Sequence, residues 1–594
     1  MMIDNKKRRR ALGSVYLKHY ENEGDNGDNE NEGGGNNKPV DISNYLTIIA
    51  LEDGLTATLS NNTVEYCIDG DGNWKSLASN TTSESINKGQ TLSFRGNLTP
   101  TSSGVGTFKI TKSCDLTGNC NSLLFGDDAK SNNSLSGKNY AFYYLFNNCT
   151  TIKNVSPNFL PATTLADRCY RNMFYNCTSL TTAPELPATT VNEYCYSYMF
   201  NGCSKLSTAP SILPATKLAK FCYEFMFNRC TSLTTTPELP ATTVAWGSCQ
   251  CMFSNCTSLI TGPNILPAKY LYRSCYGSMF SGCSKLITAP KLPATTLDEY
   301  CYDGMFEGCK SLTTAPALPA TTLAPSCYNS MFSGTNLLPD CSNIDFSSSS
   351  VVSSGGLRGL FAGTKVTDND LRNILPVNSS GDYCLPYTRA YSYCYSHMFE
   401  GCKSLTTAPT LPATILYEGC YYNMFDGCSS LTTAPQLPAT TLAKSCYQSM
   451  FWGCSKLVTA PELPATTLAE SCYDGMFEGC KSLTTAPALP ATTLARYCYA
   501  DMFYGCTSLT TAPELPAITL ADRCYEYMFS GCKNLKYIKA MFTTTPSNSY
   551  TYYWVSGVAS SGTFVKNKDA TWDITATSDN YYIGIPSGWT VQTA

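Results

Sequence analysis

The sequence predicts an α/β solenoid whose rungs each hold one strand and one helix, preceded by a small all-β sandwich. A unit at residues 472–495, CYDGMFEGCKSLTTAPALPATTLA, recurs letter for letter at residues 301–324, and related copies fill most of the chain. Their Met-Phe pairs return every 26 residues, sometimes every 27. A fixed period in this range is typical of solenoids, in which each repeat stacks on the next.

Each unit is predicted to begin with a helix. Thr164 and Asp167 have the spacing of a helix capping box, and other copies repeat it. Leu165, Cys169 and Met173 follow at steps of four and would form one apolar stripe that faces the core. Most copies then carry a glycine, which suits the left-handed cap at the end of a helix.

A short strand is predicted after each helix. Cys177, Leu180 and Ala183 would point inward from an extended segment, which Pro184 and Pro187 end because proline cannot donate to a ladder. Strands stack about 4.8 Å apart, whereas helices need roughly 8–10 Å. The stack is therefore expected to curve into a horseshoe with its strands on the inside.

The repeated motif also points to a known family. The motif Met-Phe-x-Gly-Cys-x-Ser-Leu, as in Met476–Leu483, followed by a proline-containing strand resembles the BspA-like leucine-rich-repeat surface proteins, over about residues 144–542. It is also similar to repeat proteins of phages that infect gut anaerobes. The resemblance implies a leucine-rich-repeat horseshoe at a bacterial surface or in a phage, with roles in adhesion and partner binding. The LPATTL segment departs from the family's commoner pattern, so no ligand is carried over.

Composition divides the chain into seven regions. Short alternating runs at residues 40–112 indicate an Ig-like β-sandwich, and the polar residues 1–39 cannot bury a core. The basic segment Lys6–Arg10 is either a solvated tail or a docking segment for a virion assembly partner. The predicted regions are a disordered tail (1–39), the sandwich (40–112), an entry cap (113–143), a first array (144–334), an irregular insertion with a degenerate rung (335–393), a second array (394–542) and a C-terminal cap (543–594).

Charge and hydropathy exclude several functional classes. The net charge is −4 and only 14% of the residues are charged, which does not suit a nucleic-acid partner. No apolar run approaches the roughly 20 residues that a membrane span needs, so membrane insertion is not expected. The first 20 residues lack the pattern of a signal peptide. A surface-exposed location is therefore expected to depend on another route, and release within a phage particle is the favoured one.

The cysteines fall in register, two in most rungs. Of the 32 cysteines, those like Cys169 would lie on helices too far apart to be bridged, since bonding needs Cα atoms within about 7 Å. Those like Cys177 would lie beside strands and point inward, where a thiol packs as a small apolar group. Buried, reduced thiols are the favoured interpretation, and disulfides between rungs remain the alternative.

The sequence predicts no enzyme, cofactor or metal site. Its two histidines, His19 and His397, lie in different regions, and His397 is expected to be exposed on a helix. No pair of Cys-x-x-Cys motifs suits zinc, and no glycine-rich loop suits a phosphate. Asp69 and Asp71 lack the acidic partner that completes an EF-hand loop, so a hairpin turn explains them without calcium.

The repeated threonine pairs are the candidate binding surface. They lie on the strand side, next to a variable residue between the two prolines of each unit. A simpler explanation is that β-branched threonine suits a half-exposed strand. The candidate site residues are Thr181, Thr182, Glu185, Thr313, Thr314, Glu462, Thr484, Thr485 and Glu514.

Two functions are consistent with these features. The favoured one is a non-enzymatic recognition or adhesion protein that presents a curved repeated surface to a cell-surface glycan or protein, with a phage receptor-binding or tail-associated role included. The alternative is a structural virion or surface spacer without a specific ligand, in which the array sets length and stiffness.

Overall fold

The structure, a computed structural model, describes residues 39–320, 322–336, 351–352, 354–375, 377, 381–385 and 389–594. The predicted tail with Lys6–Arg10 therefore lies outside the described residues, apart from Pro39. Residues 337–350 and part of the loop around 378–380, which belong to the predicted insertion, also lie outside them.

The N-terminal region is built from strands, as its alternating pattern predicted. After a 3₁₀ turn at Ile42–Asn44, the strands are β1 Leu46–Ala50, β2 Ala57–Leu59, β3 Val64–Ile68, β4 Lys75–Leu77, β5 Thr91–Arg95, β6 Phe108–Ile110, β7 Cys114–Thr117 and β8 Ile152–Val155. Six of them form a sheet of order β4-β3-β5-β1-β7-β8, in which neighbours pair antiparallel except β7 with β8. A separate pair joins β2 to β6.

This sheet runs directly into the repeats. After β7, the short helix α1 (Ser122–Phe125) and a 3₁₀ turn (Gly126–Ser131) lead to β8, which already belongs to the first rung. Asn154 of β8 then forms a parallel bridge with Thr182, which in turn bridges to Thr208. The sheet therefore continues along the array as single-residue bridges, and an independent Ig-like sandwich stays a prediction.

The prediction that each rung contains a helix is wrong. In the unit that contains residues 168–177, the backbone makes consecutive β-turns and is left-handed at Arg168, Asn172 and Asn176 (φ 57°, 56° and 56°). The amide of Met173 donates to the carbonyl three residues back, at Tyr170 (3.2 Å). The amide of Asn172 instead donates to the Ser197 carbonyl of the next rung (3.0 Å). We call these residues and their equivalents in other rungs the turn column.

The turn column removes the mismatch in spacing on which the horseshoe prediction rested. A helix satisfies its own amides and keeps its neighbours about 8–10 Å apart. Here alternate amides donate to the next rung, as from Phe174 to Met199 (2.9 Å), so this side of the solenoid stacks much as strands do. The ring centroids of Phe174 and Phe200 are 5.6 Å apart with an interplanar angle of 2°. The argument that predicted a horseshoe therefore fails, because no helix makes one side of the solenoid thicker than the other.

The predicted capping threonines are strand residues instead. Thr164 forms parallel bridges with Ser134 and Thr190, and Thr467 bridges to Thr493. Their side of the rung is therefore a second column of bridges. The rungs thus have two main lines of bridges and one turn column, and some rungs add a third bridge between the prolines, as at Ile212 with Glu238.

The predicted core residues are confirmed. Leu165, Cys169, Met173, Cys177 and Leu180 are all fully buried. The described cysteines are free thiols, and all but Cys251 and Cys384 are buried, as the inward register predicted. The right residues thus face the core although the backbone that carries them is not helical.

The predicted insertion keeps the turn column continuous. Phe332 donates its amide to Leu360 (3.2 Å), and Phe361 donates to Met398 (3.0 Å), so the degenerate rung stacks between the two arrays. Helix α2 (Asp368–Ile374), which begins with a capping box between Thr367 and Asp370, fills the strand side of this rung. Short parallel strand pairs flank it, namely β9 (Thr322–Leu323) with β10 (Val351–Val352) and β11 (Arg389–Ala390) with β12 (Ile415–Leu416).

The C-terminal region ends in a short parallel sheet. β13 (Tyr537–Ala540), β14 (Thr563–Lys566) and β17 (Thr590–Thr593) pair in that order, and β15 (Thr575–Ala576) pairs with β16 (Ile585–Pro586), with a 3₁₀ turn at Ser578–Asn580 between them. Trp554, Trp572 and Trp589 are buried, and each indole N–H donates to a backbone carbonyl. Within the described ranges, no helix is long and apolar enough to cross a membrane.

Candidate functional site

The threonine pairs form a continuous surface along the stack, which we call the threonine face. In the second array, Thr433, Thr459 and Thr485 are joined by parallel bridges from rung to rung, and all three are exposed. Their backbone positions are fixed by the neighbouring rungs, so the methyl and hydroxyl groups repeat at a regular spacing.

Part of the hydroxyl capacity of this face is used within the chain. The Thr181 hydroxyl donates to Asn154 Oδ1 (2.7 Å), and the Thr432 hydroxyl donates to the Thr406 carbonyl of the preceding rung (3.3 Å). The first threonine of a pair can therefore bond along the stack. The threonine face is thus less rich in free hydroxyls than the sequence suggested.

The predicted site residues fall into three groups that differ in their place along the stack and in their exposure. Glu462, Thr484, Thr485 and Glu514 are exposed and lie in consecutive rungs, and Glu514 forms a salt bridge with Lys539 (2.9 Å). Thr313 and Thr314 are exposed in the first array, whereas Thr181, Thr182 and Glu185 are half-buried at its start. A shallow depression of about 270 Å³ lies beside Glu462, between the proline segments at 460–464 and 487–490. The structure therefore gathers only the first group into one patch.

The exposed side of the turn column, which we call the turn face, carries arginine and aromatic side chains in the first rungs. The Arg168 guanidinium lies over the Tyr194 ring (4.7 Å to the centroid), and that of Arg171 lies over the same ring (5.0 Å). Tyr198 stacks on Phe225 in the next rung (4.7 Å between centroids). A cleft of about 410 Å³ opens beside Arg171.

The turn face of the second array is acidic instead. Burial, and then the charges of neighbouring carboxylates, raise the pKa of Asp474 and of Asp501 to about 7. The pKa of Asp426 is also raised to about 7, first by burial and then by the charges of Glu400 and Glu478. Gln448 donates to Asp474 Oδ2 (2.9 Å). The first rungs of the turn face thus carry arginines over aromatic rings, whereas the rungs around residues 426–501 carry partly buried carboxylates.

The groups considered for chemistry have structural partners. His397 is only 20% exposed in its side chain, and its Nδ1 lies 2.7 Å from Glu400 Oε2, so the prediction that it is exposed is wrong. It occupies a left-handed position of the turn column and not the outer face of a helix. Asp69 accepts hydrogen bonds from the Thr91 amide and the Gln90 side chain (2.8 Å each). Among the described residues, no cluster of three or more potential metal ligands occurs.

Sequence reasoning missed the turn face because it treated these residues as the outer side of a helix. Asn172, for example, would lie on the outer side of such a helix but is buried at a left-handed position of the turn column. Left-handed residues recur every fourth position, as at Ser471, Gly475 and Gly479. A glycine in the middle of the predicted helix was the available signal, because glycine is unfavourable there.

Comparisons with known proteins agree with the repeat architecture. A family model described as BspA type leucine rich repeat region (6 copies) matches residues 139–260, 223–352, 388–510 and 462–559, more than half of the chain. No curated protein matches the sequence.

Two solved structures are similar to the chain. A leucine-rich repeat protein from Bacteroides ovatus has 17% identity over 76% of this chain and 87% of its own length, with a TM-score of 0.37. The TLR13–ssRNA13 complex has 13% identity over 65% of this chain and 50% of its own, with a TM-score of 0.20. The motif, the stacked rungs and the family match together show that the chain belongs to the BspA-type leucine-rich repeat family.

Proposed function

We propose that the protein is a non-enzymatic recognition or adhesion protein that presents the threonine face to a glycan or protein on a cell surface. The observation that carries this proposal is the line of exposed threonines in consecutive rungs, held by bridges at Thr433, Thr459 and Thr485. A rigid surface loses little entropy on binding, which favours recognition by many weak contacts. The repeats of the family suggest a protein-binding role at a surface.

The setting of this recognition is also a proposal. The protein would act at a bacterial surface or in a phage virion, as a receptor-binding or tail-associated component, with residues 1–39 contacting an assembly partner. A curved horseshoe would bring the threonine face around its ligand. The proposal requires neither a cofactor nor a nucleic acid.

Substitutions on the threonine face test this function in the full chain. We expect Thr433→Lys, Thr459→Lys and Thr485→Lys together to abolish capture of the protein by surface fractions of candidate host bacteria. The matched control is Trp452→Lys with Tyr504→Lys, because both residues are exposed on the turn face. Equal capture of both variants would reject the threonine face as the binding surface.

A spacer function is the second candidate, because each rung repeats the same backbone bonds. Deleting residues 446–497 removes two whole rungs and joins equivalent positions, so the stack should still pair. A spacer should tolerate this shortening, whereas a recognition surface should lose affinity. Unchanged capture by the shortened chain would favour the spacer.

A further inference from the structure

We propose that a cleft on the turn face of the first rungs binds an acidic saccharide, meaning a sugar ring that carries a carboxylate. The cleft has a volume of about 410 Å³, which is within the range of small-ligand sites. Its walls include Tyr144, Asn147, Arg171, Tyr175 and Tyr198. We call it the tyrosine cleft. It shares no residue with the threonine face, so this proposal does not rest on the function proposed above.

The walls of the tyrosine cleft are fixed before any ligand arrives. The Tyr144 amide donates to the Arg171 carbonyl (3.2 Å), and the Asn148 amide donates to the Tyr175 carbonyl (2.7 Å). Below them, the Asn172 amide donates to the Ser197 carbonyl (3.0 Å). Since the backbone is held by three successive rungs, binding does not need to order it.

Two polar groups at the cleft have no partner within the described chain. Arg171 Nε and Asn147 Oδ1 are buried from solvent, and neither makes a hydrogen bond. Arg171 also forms no salt bridge with a described carboxylate, although its guanidinium is oriented by the rings of Tyr194 and Tyr198. Buried polar groups of this kind are costly unless something bonds to them. A ligand with matching groups would bond to these two atoms once the Arg171 and Asn147 side chains rotate toward the cleft, because neither atom is reached by solvent in this conformation.

The chemistry of the walls favours an acidic sugar. A guanidinium binds a carboxylate through paired, charge-assisted hydrogen bonds. Tyrosine rings offer apolar surface to the C–H face of a sugar and a hydroxyl at their edge. An asparagine amide can both donate to and accept from sugar hydroxyls.

The local charges agree with this assignment. The nearby Glu224 is bonded to the Ser197 hydroxyl (3.1 Å) and does not form a salt bridge with Arg171. None of the six equivalent positions in the second array holds a basic residue, and two of them, Asp474 and Glu526, are acidic. Those rungs would repel a carboxylate, so the acidic saccharide is assigned to the tyrosine cleft and not to the turn face in general.

Calorimetric titration of the full chain tests the proposal. The acidic probes are sialyllactose, a glucuronate-containing hyaluronan tetrasaccharide and trigalacturonic acid, and the neutral probes are lactose and chitotetraose. We expect at least one acidic probe to bind while the neutral ones do not. Arg171→Gln should weaken that binding about tenfold or more, because it removes the charged donor. Asn147→Asp should weaken it similarly, because it places a like charge beside the ligand.

The matched control is Arg273→Gln. Arg273 also lies over two aromatic rings, those of Trp246 and Tyr300, but it is outside the cleft and pairs with Glu299 (3.5 Å). We expect this variant and the triple threonine-to-lysine variant to bind the acidic probe as the unmodified chain does. The proposal is overturned if no acidic probe binds, if neutral probes bind equally well, or if folded Arg171→Gln and Asn147→Asp variants keep full affinity.

Discussion

The thiol of Cys203 lies 3.0 Å from the carbonyl oxygen of Phe174 in the preceding rung. The same contact recurs along the stack, for example from Cys454 to Phe425 (3.1 Å). The Phe174 carbonyl also accepts the amide of Cys177 (3.2 Å). A cysteine is small enough to fit between rungs and still carries a weak donor, which explains why one stands in register here.

These contacts predict that the repeat thiols react slowly in the folded protein. Burial raises the pKa of Cys203 to about 12, so almost no thiolate forms near pH 8. Among the described cysteines, we expect iodoacetamide to label the half-buried Cys384 first and the repeat cysteines only after unfolding. Mass spectrometry of labelled peptides measures this order. Rapid labelling of Cys203, or cysteines that stay protected until reduced, would contradict the buried-thiol core.

A second prediction concerns the junction between the two arrays. In a regular rung the Thr432 amide donates to the Thr406 carbonyl (3.2 Å). At the junction, helix α2 supplies no such carbonyl, and the Asp368 carboxylate accepts from the Thr406 amide (2.9 Å) and hydroxyl (2.5 Å) instead. Burial alone would raise the pKa of Asp368, but these hydrogen bonds outweigh it and lower the pKa. Asp368 thus substitutes for a missing piece of backbone.

We therefore expect Asp368→Ala to lower the free energy of unfolding by about 1–2 kcal/mol, since it leaves these donors without an acceptor. Urea unfolding measures the change. Substitution of the exposed Asp573 by alanine provides the control and should have little effect. Equal stability of the two variants would show that the junction does not depend on the carboxylate.

A third prediction concerns pH. The folded state raises the pKa of Asp474 and Asp501 from 3.8 to about 7, so it binds their protons more tightly than the unfolded chain does. The stability from these groups is fully present below pH 3.8 and is lost as the pH rises through about 7. We expect the thermal midpoint to fall between pH 5 and pH 8 because of them. Asp474→Asn with Asp501→Asn should flatten this dependence, and an unchanged slope in that variant would contradict the account.

The sequence allowed the repeat, the inward residues and the N-terminal strands to be predicted, because each depends on periodic burial. Met173 and Phe174, for example, are fully buried as expected. The helix was predicted wrongly because Leu165, Cys169 and Met173 are spaced by four, and a column of four-residue turns buries the same positions as a helix. Period alone cannot distinguish the two backbones.

The candidate sites were predicted less well than the fold. Thr484 and Thr485 are exposed as expected, since they lie in a polar stretch between the buried Leu483 and the proline segment. The tyrosine cleft was not predicted, because it needs Tyr144, Arg171 and Tyr198 from three rungs and a backbone that places them side by side. No single unit of the sequence contains that arrangement.

The turn column itself can be tested by two single substitutions in adjacent rungs. Ser449 and Gly475 occupy equivalent positions and are both left-handed (φ 52° and 60°). Left-handed backbone costs an ordinary residue about 1–2 kcal/mol, and glycine avoids this cost. In a helix the order is reversed, because alanine or serine is favoured over glycine.

The most direct measurement is the free energy of unfolding of Ser449→Gly and Gly475→Ala by urea titration. The turn column predicts that Ser449→Gly stabilises the protein by about 1 kcal/mol and that Gly475→Ala destabilises it by about 1–2 kcal/mol. If Gly475→Ala instead stabilises the protein and Ser449→Gly destabilises it, the rungs contain helices and the turn column is wrong.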